Sequence, residues 1–449
     1  MLFLNYNLRR LLSISLFFLF IQTAYTSFHK FIDVDQPNIN FNHECVSSLQ
    51  MENIVSSTKT NILEILSNEQ FALKNEVILY DQPLKLSDDY EAFAGYYIGS
   101  FVNHNPYNED NLIDWNCGSR TYHRGCDEYF CSHRGTDYFL APFGWNMMLE
   151  NSVQAIAMSS GTIVYKIDIW DDANCYENGL ADELDYQNNI IGILHNDGTV
   201  AYYFHLKQNS LTSKSIGDTV ESGEFLGLVG SSGMSGYPHL HLEIWSSEEG
   251  WGDLDSSLDP YYGDCNGSID QSLWLNQEDY FNSSILKILT HSEEPEWIDC
   301  EPSILNIKDT FTSSEQVYIG SYHRDHFPGQ TAEWKIYDPN NNLYDSWFDT
   351  LSDTYWYFES WRIYSLDLPL TNANGNWRVE ITFNGHTYEH KFSVCNKGDN
   401  NSDSFIDILD IVLLVNIVVS SQYNSCADMN NDGINNILDI ILLVNLITQ

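Results

Sequence analysis

The stretch YPHLHLEIW, Tyr237 to Trp245, sets His239 and His241 two residues apart in a run that otherwise reads as buried strand. Side chains at i and i+2 of a strand share a face, so the two imidazoles look out together while Leu240 and Leu242 point into the core. Pro238 suits the first residue of such a strand. Paired imidazoles are poor core filling, and neutral imidazole is a common metal ligand. Two other stretches carry histidines in strand-and-turn contexts: HRGTDYFLAP, with His133 and Asp137, and AYYFHL, with His205. Gly135 and Pro142 favour a loop entering a strand there over a helical i, i+4 pair.

A catalytic zinc ion takes three protein ligands from His and carboxylate and keeps one position for water, whose pKa it lowers toward neutrality. Proton transfer and oxyanion stabilisation call for further groups beside it. His133, Asp137, His205, His239 and His241 together supply such a set. Taken singly, each has a blander reading, since a lone histidine at a strand end is usually a packed or surface residue. Their joint occurrence carries the weight. The HExxH zinc-protease signature is absent, because His43-Glu44 is followed by Ser47 where the second histidine would stand.

The HxGxD of His133 to Asp137, the AYYFHL strand and the long run GDTVESGEFLGLVGSSGMSGYPHLHLEIW resemble the lysostaphin-like zinc metallopeptidases over about Cys131 to Trp245. That family comprises glycyl-glycine and other peptidoglycan endopeptidases of the LytM type. The resemblance implies an antiparallel sheet groove that receives an extended peptide, with His133, Asp137 and His241 binding zinc. It implies His239 as a catalytic histidine beside the metal-bound water and His205 as its partner across the site. The expected substrates are peptidoglycan cross-bridges or glycine-rich proteins; the alternative is an inactive cell-wall-binding or scaffold-assembly protein that kept the fold. The chain departs from the pattern in the acidic insertion DDANCYENGLADELDYQN and in Tyr237, where Gly or Thr is usual. Both bear on substrate choice more than on the metal.

The elements that must position these residues are mostly strands. Residues 90–264 hold short alternating segments separated by Gly, Asn and Asp turns, among them SGTIVYKIDIW and NIIGILHNDGTVAYYFHL, and read as the metallopeptidase domain. Residues 302–395 read as a β-sandwich accessory domain. It ends in a hairpin in which Trp377, Val379, Ile381 and Phe383 alternate before the Asn384-Gly385 turn. Residues 27–89 contain SSLQMENIVSSTKTNILEILSNEQ at helical spacing, a lead-in or a pro-segment. The fold class is therefore mainly β, with a small α-helical repeat at the C-terminus.

That repeat occupies residues 396–449, where GDNNSDSFIDILDIVLLVNIVV is followed by ADMNNDGINNILDIILLVNLIT. Calcium loops of the EF-hand kind need oxygen ligands at positions 1, 3, 5, 9 and 12. Asp399, Asn401, Asp403, Asp407 and Asp410 fit that register, as do Asp428, Asn430, Asp432, Asn436 and Asp439, with Ser404 and Gly433 in the turn slot. The duplicated loop-helix resembles a dockerin domain, which implies calcium and a cohesin-like receptor. Ile408-Leu409 and Ile437-Leu438 stand where Ser or Thr often contacts cohesin, so an unusual partner, or the neighbouring domain, is the other expectation.

At 449 residues the chain has room for several domains, and its net charge of -43 argues against nucleic acid and anionic membrane as partners. Arg9 and Arg10, the apolar run Leu11 to Ile21 and the small residues of QTAYTS read as a secretory signal peptide over residues 1–26. The run is short for a membrane anchor, and no integral span is expected elsewhere. Export to the extracellular space or cell surface follows, with the periplasm as a further option. Nine cysteines suit an oxidising compartment. Cys117, Cys126 and Cys131 fit a disulfide-stapled loop better than a zinc knuckle, because CxxC pairs are lacking.

Overall fold

A computed structural model of the chain describes residues 48–67, 77–122, 132–172, 187–246 and 257–448, except 106–107, 109, 234, 314, 370–372, 402, 404 and 431. The expected signal peptide, Cys126, Cys131, Ser404 and most of the acidic insertion lie outside the described residues.

The chain enters through helix α1 (Ser48–Ser67) and the short strand β1 (Leu84–Leu86). Next come β2 (Tyr96–Ser100), β3 (Thr136–Leu140), the short helix α2 (Gly144–Leu149), β4 (Val153–Ile156) and β5 (Gly161–Ile167). They are followed by β6 (Ile190–His195), β7 (Val200–Phe204), β8 (Thr219–Val220), β9 (Phe225–Leu228) and β10 (His239–Trp245). The main sheet is seven-stranded, in the order β2-β3-β10-β7-β6-β5-β8, and antiparallel throughout. A smaller sheet, β1-β4-β9, packs against it.

Strand alternation gives the two faces of the main sheet different tasks. Tyr138, Leu140, Ala201, Tyr203, Leu240, Leu242 and Ile244 enter one buried core with Val153, Ala155 and Leu226 of the smaller sheet. The opposite face carries Asp137, His239, His241 and Glu243 at its centre. Toward β5 and β6 this face is covered by α1: Met51, Ile54 and Ile62 pack with Val164, Ile190, Leu194, Tyr202, Phe204 and Trp245. Thr58 Oγ1 accepts from Tyr202 at 2.8 Å, and Asn61 donates to the Val164 carbonyl at 2.8 Å. The amphipathic pattern foreseen for this segment thus finds its apolar partner on the histidine-bearing face.

Two further sheets form a sandwich. One contains β11 (Ser284–His291), β13 (Gln316–His326) and β16 (Tyr357–Asp367), in the order β11-β13-β16. The other contains β12 (Thr310–Thr312), β14 (Thr331–Tyr337), β15 (Leu343–Thr350), β17 (Gly375–Phe383) and β18 (His386–Cys395), in the order β12-β18-β17-β14-β15. Its core sets Val317, Ile319, Tyr364 and Leu366 against Trp334, Trp377, Val379, Ile381 and Phe392. The hairpin turn lies at Asn384-Gly385, both with positive φ (48° and 81°), as a two-residue turn between twisted strands requires.

Packing runs beyond the boundaries drawn from sequence. Tyr80 bridges to Trp274 and both join the core of the histidine-bearing unit, outside 90–264. The sandwich takes its edge strand β11 from residues ahead of 302, because SILKILTH is apolar enough to be buried yet too uniform to alternate visibly. The two units also touch. Phe143 packs with Leu289, Tyr322, Trp361 and Ile363, and Tyr97 with Leu286 and Phe358. The chain ends in helices α3 (Ile408–Ser420) and α4 (Ile437–Ile447), which meet through Leu414, Ala427 and Leu443. No helix among the described residues is long and apolar enough to cross a membrane.

Candidate metal centre and active site

Register places the site. In β10, His241 lies opposite Asp137 of β3 on one side and Phe204 of β7 on the other, and His239 lies opposite Phe139. His133 precedes β3, its backbone joined to Asn103 and Tyr122, so it swings over the strand it leads into. His205 follows β7 directly. All five candidate residues are buried, from 0 to 4% exposed.

His133, Asp137 and His241 are the group of titratable side chains, among the described residues, whose donor atoms all lie within 4.8 Å of one another. His241 Nδ1 is 2.6 Å from Asp137 Oδ1, His133 Nε2 is 3.0 Å from Asp137 Oδ2, and His133 Nε2 is 3.2 Å from His241 Nδ1. Around a tetrahedral zinc, neighbouring donors sit about 3.3 Å apart.

The outer nitrogens decide what the inner ones can be. His133 Nδ1 donates to the Phe101 carbonyl at 2.7 Å, which leaves Nε2 as a lone pair. His241 Nε2 donates to Glu243 Oε1 at 3.0 Å, which leaves Nδ1 as a lone pair. Two lone pairs and a carboxylate then face one point. With a cation between them the three groups would act as its donors; in its absence a ring proton can lie between His241 or His133 and the Asp137 carboxylate, 2.6 and 3.0 Å away. The carbonyl and carboxylate behind the rings are the partners that metal-binding histidines use to fix tautomer and orientation.

Electrostatics agree with a preorganised anionic ligand. Burial alone would push the Asp137 carboxyl up, yet His133 and His241 hold it well below the ordinary range. Burial also opposes the charge on Glu243, but Arg134, His241 and Trp245 bring its pKa down to about 2. Arg134 lies 3.5 Å from Glu243, and Trp245 donates to it at 2.8 Å.

His205 and His239 stand beside this group with ring centroids 4.4 Å apart. His239 Nδ1 donates to the Tyr237 carbonyl at 2.8 Å, and His239 Nε2 is 3.8 Å from Asp137 Oδ1. His205 Nδ1 donates to the Ser232 carbonyl at 2.7 Å, while its Nε2 is buried without a hydrogen-bond partner. Burial, first of all, lowers the pKa of both, which favours the neutral ring with its lone pair on Nε2. Phe139 stacks on His239 at 4.7 Å, and Tyr122 on His133 at 4.3 Å.

Sequence reasoning assembled these five residues but passed over Glu243, although the same alternation that pairs His239 with His241 puts Glu243 next on that face. The carbonyls of Phe101, Ser232 and Tyr237 left no side-chain signal to find. Tyr237, noted only as a departure, also accepts the Gly144 N–H through its hydroxyl at 2.7 Å, pinning α2 beside β10.

The C-terminal candidates form a separate pair of loops that repeat one another closely. Asp399 and Asp428 accept the N–H of Asp403 and Asp432 at 3.1 and 3.2 Å, and Asn401 and Asn430 donate to those same aspartates at 2.9 and 2.8 Å. Asp407 and Asn436 are the N-caps of α3 and α4, and Asp410 and Asp439 close their capping boxes. These four side chains therefore have a helix-starting role that the ligand spacing alone did not reveal.

Residues 143–252 match the model described as Peptidase family M23, a match that includes His205, His239 and His241 and stops short of His133 and Asp137. Over that segment the chain is similar to the M23 peptidases. An uncharacterized metalloprotease of Buchnera aphidicola subsp. Baizongia pistaciae (strain Bp) is 42% identical over 57 residues, 13% of this chain. The alignment spans only 14% of that relative. Among solved structures, the catalytic domain of the antimicrobial peptidase lysostaphin from Staphylococcus simulans is 23% identical, covering 39% of this chain and 96% of that one at a TM-score of 0.21. A zinc-containing peptidase from Vibrio cholerae is 18% identical, covering 41% of this chain and 38% of that one at a TM-score of 0.22.

Proposed function

We propose that the histidine-bearing unit is a zinc-dependent metalloendopeptidase that hydrolyses peptide bonds in peptidoglycan cross-bridges or glycine-rich proteins. The observation that carries this reading is the meeting of two imidazole lone pairs and a carboxylate, with their protons turned outward (His133 to Phe101, His241 to Glu243). His133, Asp137 and His241 would hold the ion; two histidines and one carboxylate are a donor set zinc accepts in catalytic sites. When bound, the ion supplies Lewis acidity toward water and the scissile carbonyl.

The remaining steps belong to the chain. His239 Nε2, 3.8 Å from Asp137 and outside the group that would hold the ion, accepts a proton from the attacking water. The protonated ring then acts as donor toward the tetrahedral oxygen or the leaving amine, with Tyr237 holding its Nδ1 side fixed. His205 Nε2 faces the same space and serves the second proton transfer. Nearly complete burial excludes competing water from these transfers.

Export of the protein follows from the N-terminal segment, and calcium in the two C-terminal loops follows from their ligand spacing, with a cohesin-like receptor or a neighbouring domain as the docking partner. The parallel hydrogen bonding of the loops supports one ligand type for both. Calcium titration of the full chain and of Asp428→Ala, followed by thermal unfolding, tests that part.

The peptidase reading is tested by elemental analysis of the purified protein, together with digestion of several cell-wall preparations and of elastin, with and without chelator. Bound zinc and chelator-sensitive fragments with new amino termini are expected. A protein that retains no divalent metal and releases no fragments sinks the reading.

A further inference from the structure

His205 has φ 59°, a left-handed conformation that a non-glycine residue keeps only when its surroundings impose it. We propose that Asn189 and Ser232 are positioning residues that impose it and so hold the His205 ring beside His239 with Nε2 unprotonated; this rests on the peptidase reading of the site.

Asn189 is fully buried between three segments. Its Oδ1 accepts the N–H groups of Ile169 (2.9 Å) and Trp170 (2.8 Å), in the loop after β5. Its Nδ2 donates to the carbonyls of Trp170 (2.7 Å) and Leu206 (3.1 Å). Both donors and both acceptor sites of the amide are thereby committed to backbone. The Asn189 N–H donates to Ser232 Oγ at 3.0 Å, and that hydroxyl donates to the Leu206 carbonyl at 2.8 Å. One carbonyl, at the residue after His205, is thus gripped from two sides.

The same serine completes the circuit. Its carbonyl takes the His205 Nδ1 proton at 2.7 Å, and Gly230, two residues earlier in the glycine-rich loop, donates its N–H to the His205 carbonyl at 3.0 Å. Asn189 and Ser232 therefore hold the backbone of His205 and select its tautomer, with the proton on Nδ1 and the lone pair on Nε2. The Asn189 amide is spent on backbone groups, and the Ser232 hydroxyl bonds the Asn189 N–H and the Leu206 carbonyl. If the ring turned over or the proton moved to Nε2, the residue would lose its function as a proton acceptor without any change in the metal ligands.

The test uses the full chain and compares Asn189→Ala, Ser232→Ala and Gln50→Ala with the wild type. Gln50 bonds Asn188, the adjacent residue, and serves as a structural control. Metal content, kcat, KM on digested cell wall and the 15N shifts of the His205 ring are measured. Asn189→Ala and Ser232→Ala are expected to keep metal and KM, to lose about tenfold to a hundredfold in kcat, and to lose the single Nδ1–H form of His205. Gln50→Ala lowers stability and leaves kcat and the His205 shifts unchanged. Unaltered His205 shifts in both variants, or loss of turnover only together with loss of metal, overturn the proposal. Should Asn189→Ala fail to fold, Ser232→Ala carries the comparison alone. A wild type that cleaves nothing, while the His205 shifts respond as expected, counts against the peptidase reading and leaves the positioning intact.

Discussion

His133 Nε2 and His241 Nδ1 approach to 3.2 Å from residues 108 positions apart, with each ring's other nitrogen bonded on the outside. With His133 Nδ1 and His241 Nε2 turned outward, the two inner nitrogens and Asp137 converge on one point, where the proposed ion would sit.

On the peptidase reading, substitution should separate holding an ion from using it. His241→Ala and His133→Ala are expected to lose bound metal, whereas His239→Ala should retain it and lose about 10²–10⁴-fold in turnover, the usual worth of a general acid–base group. Metal content measured beside kcat checks this. Full activity in His239→Ala removes its assigned role.

Helix α1 should prove part of the folded unit, despite a sequence pattern that also suits a removable pro-segment. Its Met51, Ile54 and Ile62 are at most 1% exposed and cover Val164, Ile190, Leu194 and Trp245. Cutting the chain after residue 75 and removing the N-terminal piece would uncover that apolar face. Ile54→Ala alone is expected to cost about 2–5 kcal/mol of stability. Denaturant titration checks both, and a truncated protein that is stable and more active would mark α1 as an inhibitor.

The sandwich should weaken in acid through its buried histidines. Burial brings His291 down to about 4 and His326 to about 3, with His323 also well below its ordinary value. His291 is locked neutral: Nδ1 donates to the Leu305 carbonyl and Nε2 accepts from the Tyr322 hydroxyl. The unfolded chain binds protons near pH 6.5 that the folded chain refuses. Stability is then fully present above about pH 6.5 and declines as pH falls toward 4, by about 1.4 kcal/mol per pH unit for each histidine. Urea midpoints measured across this range for wild type and His326→Asn should show a shallower slope in the variant; identical slopes refute the assignment.

Much of the site was legible because strand alternation is a strict rule: once His239 and His241 are placed on one face, their neighbours must face the core. What escaped was whatever depends on backbone shape or on a distant partner. The positive φ of His205, the carbonyl supports and the burial of Asn189 belong to the folded chain. The helical period of α1 announced an apolar stripe but not the sheet face it would cover. The two C-terminal repeats showed their loop spacing plainly, while Asp407, Asp410, Asn436 and Asp439 turned out to serve the helix starts as well.

The disulfide between Cys395, at the end of β18, and Cys426, ahead of the second loop, fastens the helical repeat to the sandwich. Asn374 bonds Asp399 at 2.9 Å and Ser425 bonds the Thr310 carbonyl at 3.3 Å across the same junction. A floppy leash would let the helical repeat turn freely against the rest of the chain. Pinned at this bracket, the helices keep a set attitude to the sandwich, so whatever gripped them would orient the sandwich as well.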